Sequence, residues 1–198
     1  MTKFDRIYFL AALLLVFPAC SGDLPEPSAD FYAKQGWQQY QTGLYEEAQK
    51  NFELAQKLDQ DSVDAAVGLG WIFFRQSGDP QTMEMAKGEF EKAILLAKQD
   101  GNTDLLDDVH AGLAGVNLSL ERYQEAIRYA ELIVDPNYRF TRGQPDFGSK
   151  ELTLLLAICY FHISDYEKSV EKIQVLNPKF SWQLDDEPSK ILKELERQ

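Results

Sequence analysis

The sequence predicts an all-α fold built from about four successive pairs of helices, and two observations lead to this prediction. Small and apolar residues recur at steps of three, four and three in four separate stretches, which is the period of one face of an α-helix. Each stretch follows another with helical periodicity and a small residue that would let two antiparallel helices approach closely. With 198 residues, the chain is long enough to bury a core shared by such pairs.

The second helix of each pair is defined by aligned columns, and "GLYEEAQKNFELA" at residues 43–55 shows them most completely. We predict that these columns pack against a neighbouring helix, while Glu46 and Glu47 face water. The columns are Tyr45, Tyr123 and Tyr166; Ala48, Ala86, Ala126 and Ser169; Phe52, Phe90, Ala130 and Ile173; and Ala55, Ala93, Ile133 and Leu176.

The first helices lie in "DFYAKQGWQQYQT", "VDAAVGLGWIFFRQ", "LLDDVHAGLAGVNLSL" and "ELTLLLAICYFHI". Their small residues are Gly36, Gly70, Ala114 and Ala157. Sixteen residues separate Gly70 from Ala86, against twelve from Gly36 to Ala48, and we attribute the excess to a turn, "SGDPQ", at residues 77–81.

This combination resembles the tetratricopeptide repeat, a helix-turn-helix unit of 34 residues. The resemblance covers residues 29–183, and it implies a tetratricopeptide-type α-solenoid within a domain spanning residues 30–198. Residues 188–198 are expected to form a C-terminal capping helix, with an apolar stripe of Ile191, Leu192 and Leu195. The repeats are placed near residues 29–62, 63–100, 107–140 and 150–183.

The N-terminus is typical of an export signal. Lys3 and Arg6 precede the apolar run "IYFLAALLLVF" at residues 7–17, which is shorter than the roughly 20 residues of a membrane-spanning helix. Residues 1–19 are therefore predicted to be a signal peptide. Residues 20–29, rich in Pro, Gly and Ser, are predicted to be a tether.

Ala19 followed by Cys20 resembles the cleavage site of a bacterial lipoprotein, in which the cysteine is lipidated and anchors the chain. Phe17 and Pro18 depart from the usual residues of that site, and an ordinary cleaved signal with Cys20 as a bystander is the alternative. Ser21, in place of the Asp associated with inner-membrane retention, favours the outer membrane, facing the periplasm.

The acidic composition bears on the class of partner. The formal net charge of -12, without a compensating basic cluster, disfavours nucleic acid as a partner. The repeat resemblance implies instead an envelope protein or a peptide segment as the partner. The histidines and the remaining Cys159 form no metal-binding or nucleophilic motif, so neither a cofactor nor a catalytic residue is predicted. A hydrolase acting on wall glycan is a further class of function, for which the sequence offers no site.

The resemblance implies a concave inner face lined by the first helix of each repeat. Lys and Asn, which clamp a terminal carboxylate in some members of the family, are absent from the matching positions Ala33, Trp37, Val67 and Trp71. The aromatics there suit an apolar peptide segment, although packing within the superhelix is the alternative. Our candidate partner-binding residues are Trp37, Tyr40, Trp71, Phe74, Arg75, Phe161 and His162.

A second candidate surface is the long loop "DPNYRFTRGQPDFGSK" that begins at Asp135. It is basic and aromatic in an acidic protein, through Tyr138, Arg139, Phe140 and Arg142, and it contacts a partner or is a solvated insertion. The function that we expect is a non-enzymatic protein-interaction scaffold in the bacterial cell envelope. The alternative is an envelope receptor for a small apolar or carbohydrate ligand.

Overall fold

The computed structural model describes residues 26–198, except residues 77, 102, 134, 141 and 143–146. The signal peptide, Cys20 and most of the tether lie outside these residues. The described residues form an all-α stack of antiparallel helix pairs, which confirms the predicted α-solenoid. The helices are α1 (Ala29–Gln41), α2 (Tyr45–Leu58), α3 (Val63–Arg75), α4 (Pro80–Asp100), α5 (Leu106–Ser119), α6 (Tyr123–Ala130), α7 (Ser149–His162), α8 (Tyr166–Leu176) and α9 (Ser189–Leu195).

The stack has the nearest-neighbour order of a repeat protein. Each helix packs on the next in the chain, and α1, α3, α5 and α7 also contact one another in sequence. These odd-numbered helices form one layer, and their shared side is called the inner face below. Within the described part of the chain, no helix is long and apolar enough to cross a membrane.

Glycines in the odd-numbered helices make room for the aromatic columns. Phe52 of α2 lies against Gly36 and Gly68, and Phe90 of α4 lies against Gly70 and Gly112. A Cβ built on Gly36 would stand 2.7 Å from the Phe52 ring. Each phenylalanine therefore fills the junction between two successive repeats, and both are fully buried.

The turns between paired helices repeat as well. Gly43, Glu121 and Ser164 stand at the same position, two residues before the tyrosine column, and all have positive φ, of 80°, 58° and 63°. The left-handed conformation is costly for a residue with a Cβ. Its recurrence in three pairs shows that the turn geometry is kept even where the sequence does not supply glycine.

The structure corrects the sequence prediction in three places. Pro80 and Gln81 lie in the first turn of α4, capped by the Asp79 side chain, which accepts a hydrogen bond from Thr82 N at 2.9 Å. The extra residues of the second pair therefore mainly lengthen a helix. In the third pair, α6 ends at Ala130, so Ile133 lies outside the helix that was predicted to contain it.

The third correction concerns the capping helix. α9 packs on α7 and α8, and Ile191 is buried with Ala157, Val170 and Ile173. Leu192, which was predicted to share its apolar stripe, is 42% exposed. The buried side of α9 carries Ile191 and Glu194 instead.

Candidate functional site

The aromatic residues predicted on the inner face are in place, but they are covered. Trp37, Tyr40 and Trp71 are 6%, 1% and 3% exposed, and Phe74 is half-buried. Their cover is the chain itself, since the stretch between α6 and α7 lies on them. The described residues of this stretch, 135–140, 142 and 147–148, are called the α6–α7 segment below.

The two ends of the α6–α7 segment are paired through the main chain. Phe140 N donates to Phe147 O at 3.0 Å, and Ser149 N donates to Tyr138 O at 2.8 Å. Arg139 and Gly148 form an isolated antiparallel bridge at this point. This pairing fixes the direction in which Phe140 and Phe147 project from the segment.

Both phenylalanines insert among the inner-face aromatics. The ring of Phe140 stacks on that of Trp71, with centroids 4.2 Å apart, and meets the rings of Trp37 and Tyr40 edge-on at 6.1 Å each. The Phe147 ring meets Trp71 at 5.7 Å, again edge-on. Such offset and edge-on contacts are favourable beyond the apolar area that they bury.

A buried polar contact holds the start of the segment. The hydroxyl of Tyr138 donates to Asp108 Oδ1 at 2.9 Å, and both residues are buried. Burial is the main cause that raises the pKa of Tyr138 well above its ordinary value, and the nearby Asp108 carboxylate adds to it. The phenol therefore stays protonated and remains a donor.

Arg142 makes an ionic contact with the first two repeats. Its guanidinium pairs with Asp64 of α3 and lies 5.6 Å from the centre of the Trp37 ring. The same carboxylate oxygen of Asp64 accepts from Trp37 Nε1 at 3.0 Å, and Gln41 Nε2 donates to the Arg142 carbonyl at 3.4 Å. Asp64 thus links the segment to both α1 and α3.

Beside this ion pair lies an open cleft of about 350 Å³. Its walls combine acidic, basic and amide side chains with Trp37 and Ala33, so the cleft offers both polar and apolar surface to a bound group. The lining residues are Asp30, Ala33, Lys34, Trp37, Gln38, Gln41, Asp64 and Arg142.

The other candidate residues have different environments. Arg75 Nε donates to the Tyr40 hydroxyl at 2.8 Å, and the guanidinium lies 5.1 Å from the centre of the Tyr45 ring. His162 stacks on Tyr123 with centroids 4.4 Å apart. Phe161 belongs to the smaller C-terminal core, so the structure does not place Phe161 and His162 with the aromatics of the first two repeats.

The inner face and the long loop, which the sequence predicted as two separate surfaces, therefore contact each other. Tyr138, Phe140 and Arg142 contact the inner face, while Arg139 is exposed. The contribution of Phe147 was missed, although an aromatic residue in an unusually long loop was a signal that could have found it. The inner-face aromatics pack within the superhelix, and whether they also contact a partner stays a prediction.

Cys159 and His110 are partly or fully buried titratable residues outside this site. Cys159 is a buried free thiol, and burial raises its pKa to about 12. The ring of His110 is partly buried between α5 and α6, where Nδ1 has no hydrogen-bond partner, and burial lowers its pKa. Among the described residues, no group of three or more His, Cys, Asp or Glu side chains could hold a metal ion.

The similarities between this chain and known proteins are weak. No family model and no curated protein matches the chain. Among solved structures, it is similar to Pseudomonas aeruginosa PilF, at 16% identity and a TM-score of 0.38 over 78% of each chain. It is also similar to MamA of AMB-1, at 16% identity and a TM-score of 0.31 over 77% of this chain and 93% of that one. Similarity at this level carries no argument about the function of this chain.

Proposed function

We propose that this chain is a non-enzymatic scaffold of the bacterial cell envelope that holds another envelope protein by a segment bound on its inner face. The supporting observation is that this face already holds a peptide segment, which belongs to the chain itself. The stack on Trp71, the pairing with Asp64 and the hydrogen bond from Gln41 are contacts that a segment of another protein can make equally well.

The position of α1 is compatible with a lipid anchor. Ser28 caps α1, its Oγ accepting a hydrogen bond from Phe31 N at 3.2 Å, so the helical stack begins at Ala29. If Cys20 carries the lipid, the residues between them span at most about 30 Å when fully extended. The stack would then lie close to the membrane, which we propose is the outer membrane, on its periplasmic side.

The alternative function, a receptor for a small apolar or carbohydrate ligand, fits the geometry less well. Such a ligand would use the faces of Trp37 and Trp71, and Phe140 occupies this space. The cleft left beside Arg142 carries the charged side chains of Asp30, Lys34 and Asp64. A peptide segment with both an aromatic and a charged group matches the observed contacts better.

Site-specific photocrosslinking in the native host tests the proposal. A photoreactive amino acid replaces Gln41, which is exposed beside the cleft, and a control replaces Glu46, which is exposed on α2. We expect a discrete crosslinked envelope protein from position 41 and none from position 46. The same pattern from both positions, or no product from position 41, would contradict binding on the inner face.

A second experiment tests the anchor. Replacing Cys20 by Ala removes the only proposed lipidation site, so the protein should move from the membrane fraction to the soluble periplasmic fraction. A Cys159→Ala variant is the control, since this thiol is buried in α7. Retention of the Cys20→Ala variant in the membrane fraction would remove the lipid anchor from the proposal.

A further inference from the structure

We propose that the α6–α7 segment is an internal ligand of the inner face, and that a partner displaces it with a segment bearing an aromatic residue and, two positions later, a basic one. This inference rests on the proposed function, because it assigns the chemistry of the partner that the inner face would bind.

The aromatic requirement follows from the packing around Phe140. Its ring contacts the rings of three residues from two repeats, Trp37, Tyr40 and Trp71, and is itself 4% exposed. If the segment leaves without a replacement, these rings lose their cover and a large apolar surface meets water. A displacing segment must therefore bring a ring of its own.

The basic requirement follows from Asp64. Its carboxylate pairs with Arg142, and the Arg142 guanidinium also lies over the Trp37 ring, on the side where Asp30 lines the same cleft. Because the chain has a formal net charge of -12, an acidic partner segment would be repelled from Asp64. A cation is the matching group.

The spacing follows from the sequence of the segment itself. Phe140 and Arg142 are two positions apart, and both reach Trp37, Phe140 edge-on and Arg142 over the ring. An aromatic residue followed two positions later by Arg or Lys therefore offers the same pair of contacts.

The attachment of the segment is of a kind that can be exchanged. The side chains of Arg142 and Asp64 are both more than a third exposed, so their ion pair contributes little net stability. Of the two main-chain bonds described above, one joins Phe140 to Phe147 within the segment and the other joins Tyr138 to Ser149 of α7, so neither reaches the first two repeats. Phe140 is thus held on the first two repeats mainly by its aromatic contacts, which an incoming ring would replace.

An internal ligand competes at a high effective concentration, in the millimolar range for a short connection. The apparent affinity for a partner is reduced by the fraction of molecules in which the inner face is free. Substitutions that weaken the contact of the α6–α7 segment with the inner face should therefore strengthen the binding of a separate peptide that carries the same aromatic and basic residues. This consequence separates an internal ligand from a purely structural loop.

The test uses a labelled peptide with the sequence of residues 136–148, "PNYRFTRGQPDFG", and the exported chain without its signal. Binding is measured by fluorescence anisotropy to the wild type, to Phe140→Ala/Arg142→Ala, and to Arg139→Ala, the control at an exposed basic residue of the same segment. We expect the double variant to bind at least about tenfold more tightly than the wild type and the Arg139→Ala chain. A peptide with Ala in place of the residues matching Phe140 and Arg142 should not bind.

Far-UV circular dichroism must show that the double variant keeps its helices, and Arg142→Ala alone, which retains Phe140, provides a milder variant with an intermediate effect. Equal affinity of all chains, no binding by the folded variants, or binding of the alanine peptide would each overturn the inference. So would a wild-type dimer in light scattering that Phe140→Ala/Arg142→Ala converts to monomer, because the segment would then be exchanged between two copies.

The outcome is separable from that of the proposed function. Crosslinking at position 41 without peptide competition would leave the inner face as a binding surface and reject the internal ligand. Peptide competition without crosslinking in the host would support the recognition chemistry and reject the scaffold function.

Discussion

The ring of Phe140, from the segment between the third and fourth helix pairs, lies stacked on Trp71 of the second pair at 4.2 Å. This contact crosses the inner face and joins elements that are distant in sequence. It makes the segment part of the core of the first two repeats, where Trp37 and Tyr40 also meet Phe140.

The Phe140→Ala variant tests the strength of this contact. Removing a buried phenylalanine ring should lower the free energy of unfolding by about 3 kcal/mol, from lost transfer energy and the cavity left behind. Tryptophan emission should shift to longer wavelength as Trp71 and Trp37 meet water, while the far-UV spectrum is kept. Arg139→Ala, at an exposed neighbour, should change neither quantity measurably; an unchanged emission in Phe140→Ala would contradict the described packing.

The Gly112→Ala substitution tests the close approach of helices at the junction between two repeats. A Cβ at this position would overlap the ring of Phe90, so Gly112→Ala should lower the free energy of unfolding by about 1–3 kcal/mol. Gly88 lies in α4 with no atom within 4 Å of an added Cβ. Gly88→Ala should therefore raise stability by roughly 0.5–1 kcal/mol through helix propensity, and urea denaturation measures both. Destabilisation by both substitutions to the same extent would argue against the junction model.

The recurrent left-handed turn offers a substitution that should raise the free energy of unfolding. Ser164 has φ of 63°, and Gly adopts this conformation without the penalty of a Cβ. Ser164→Gly should raise the free energy of unfolding by about 1 kcal/mol. Gly43→Ala, at the equivalent position of the first pair, should lower it by a similar amount. Thermal denaturation of the two variants compares them directly, and a destabilised Ser164→Gly chain would refute the assignment of strain.

The capping helix offers a pair of adjacent aliphatic residues. Ile191 is fully buried and Leu192 is 42% exposed. Ile191→Ala should destabilise the protein by about 2–5 kcal/mol, whereas Leu192→Ala should cost well under 1 kcal/mol. Protection of α8 amides from hydrogen exchange should fall only in Ile191→Ala, since α9 covers that helix. Equal effects of the two substitutions would show that α9 is docked through a different face.

His110 predicts a dependence of stability on pH. Burial lowers its pKa in the folded chain, so below the ordinary value of about 6.5 the unfolded chain binds more protons. Its contribution is present above pH 6.5, and the free energy of unfolding should fall as the pH decreases from 7.5 to 5.5. His110→Phe keeps the ring beside Tyr129 and removes the titration, so the fall should be smaller. His162 is present in both the wild type and His110→Phe. An equal pH dependence of stability in the two chains would show that a group other than His110 causes the fall.

The repeat architecture could be predicted because it depends on local information. The columns of Ala48, Phe52 and Ala55, and of Ala86, Phe90 and Ala93, are all fully buried as their spacing predicts. Helical periodicity and small residues are visible in short stretches, and a stack of repeats needs only contacts between neighbours. The ends of elements were less predictable, because a single cap such as Asp79 decides where a helix begins.

The sequence by itself therefore determined the class of fold, the order of its helices and the inner-face aromatics of the first two repeats, whereas Phe161 lies in the C-terminal core. The tertiary structure alone decided that these aromatics are covered, and by which segment. Nothing local in Phe140, Arg142 or Phe147 indicates Trp71, Asp64 or Phe74 as neighbours, because the contact depends on how the stacked pairs bring the first repeats within reach of a loop that follows the third. Burial of exposed rings then drives the segment onto the inner face, a non-local effect that periodicity cannot express.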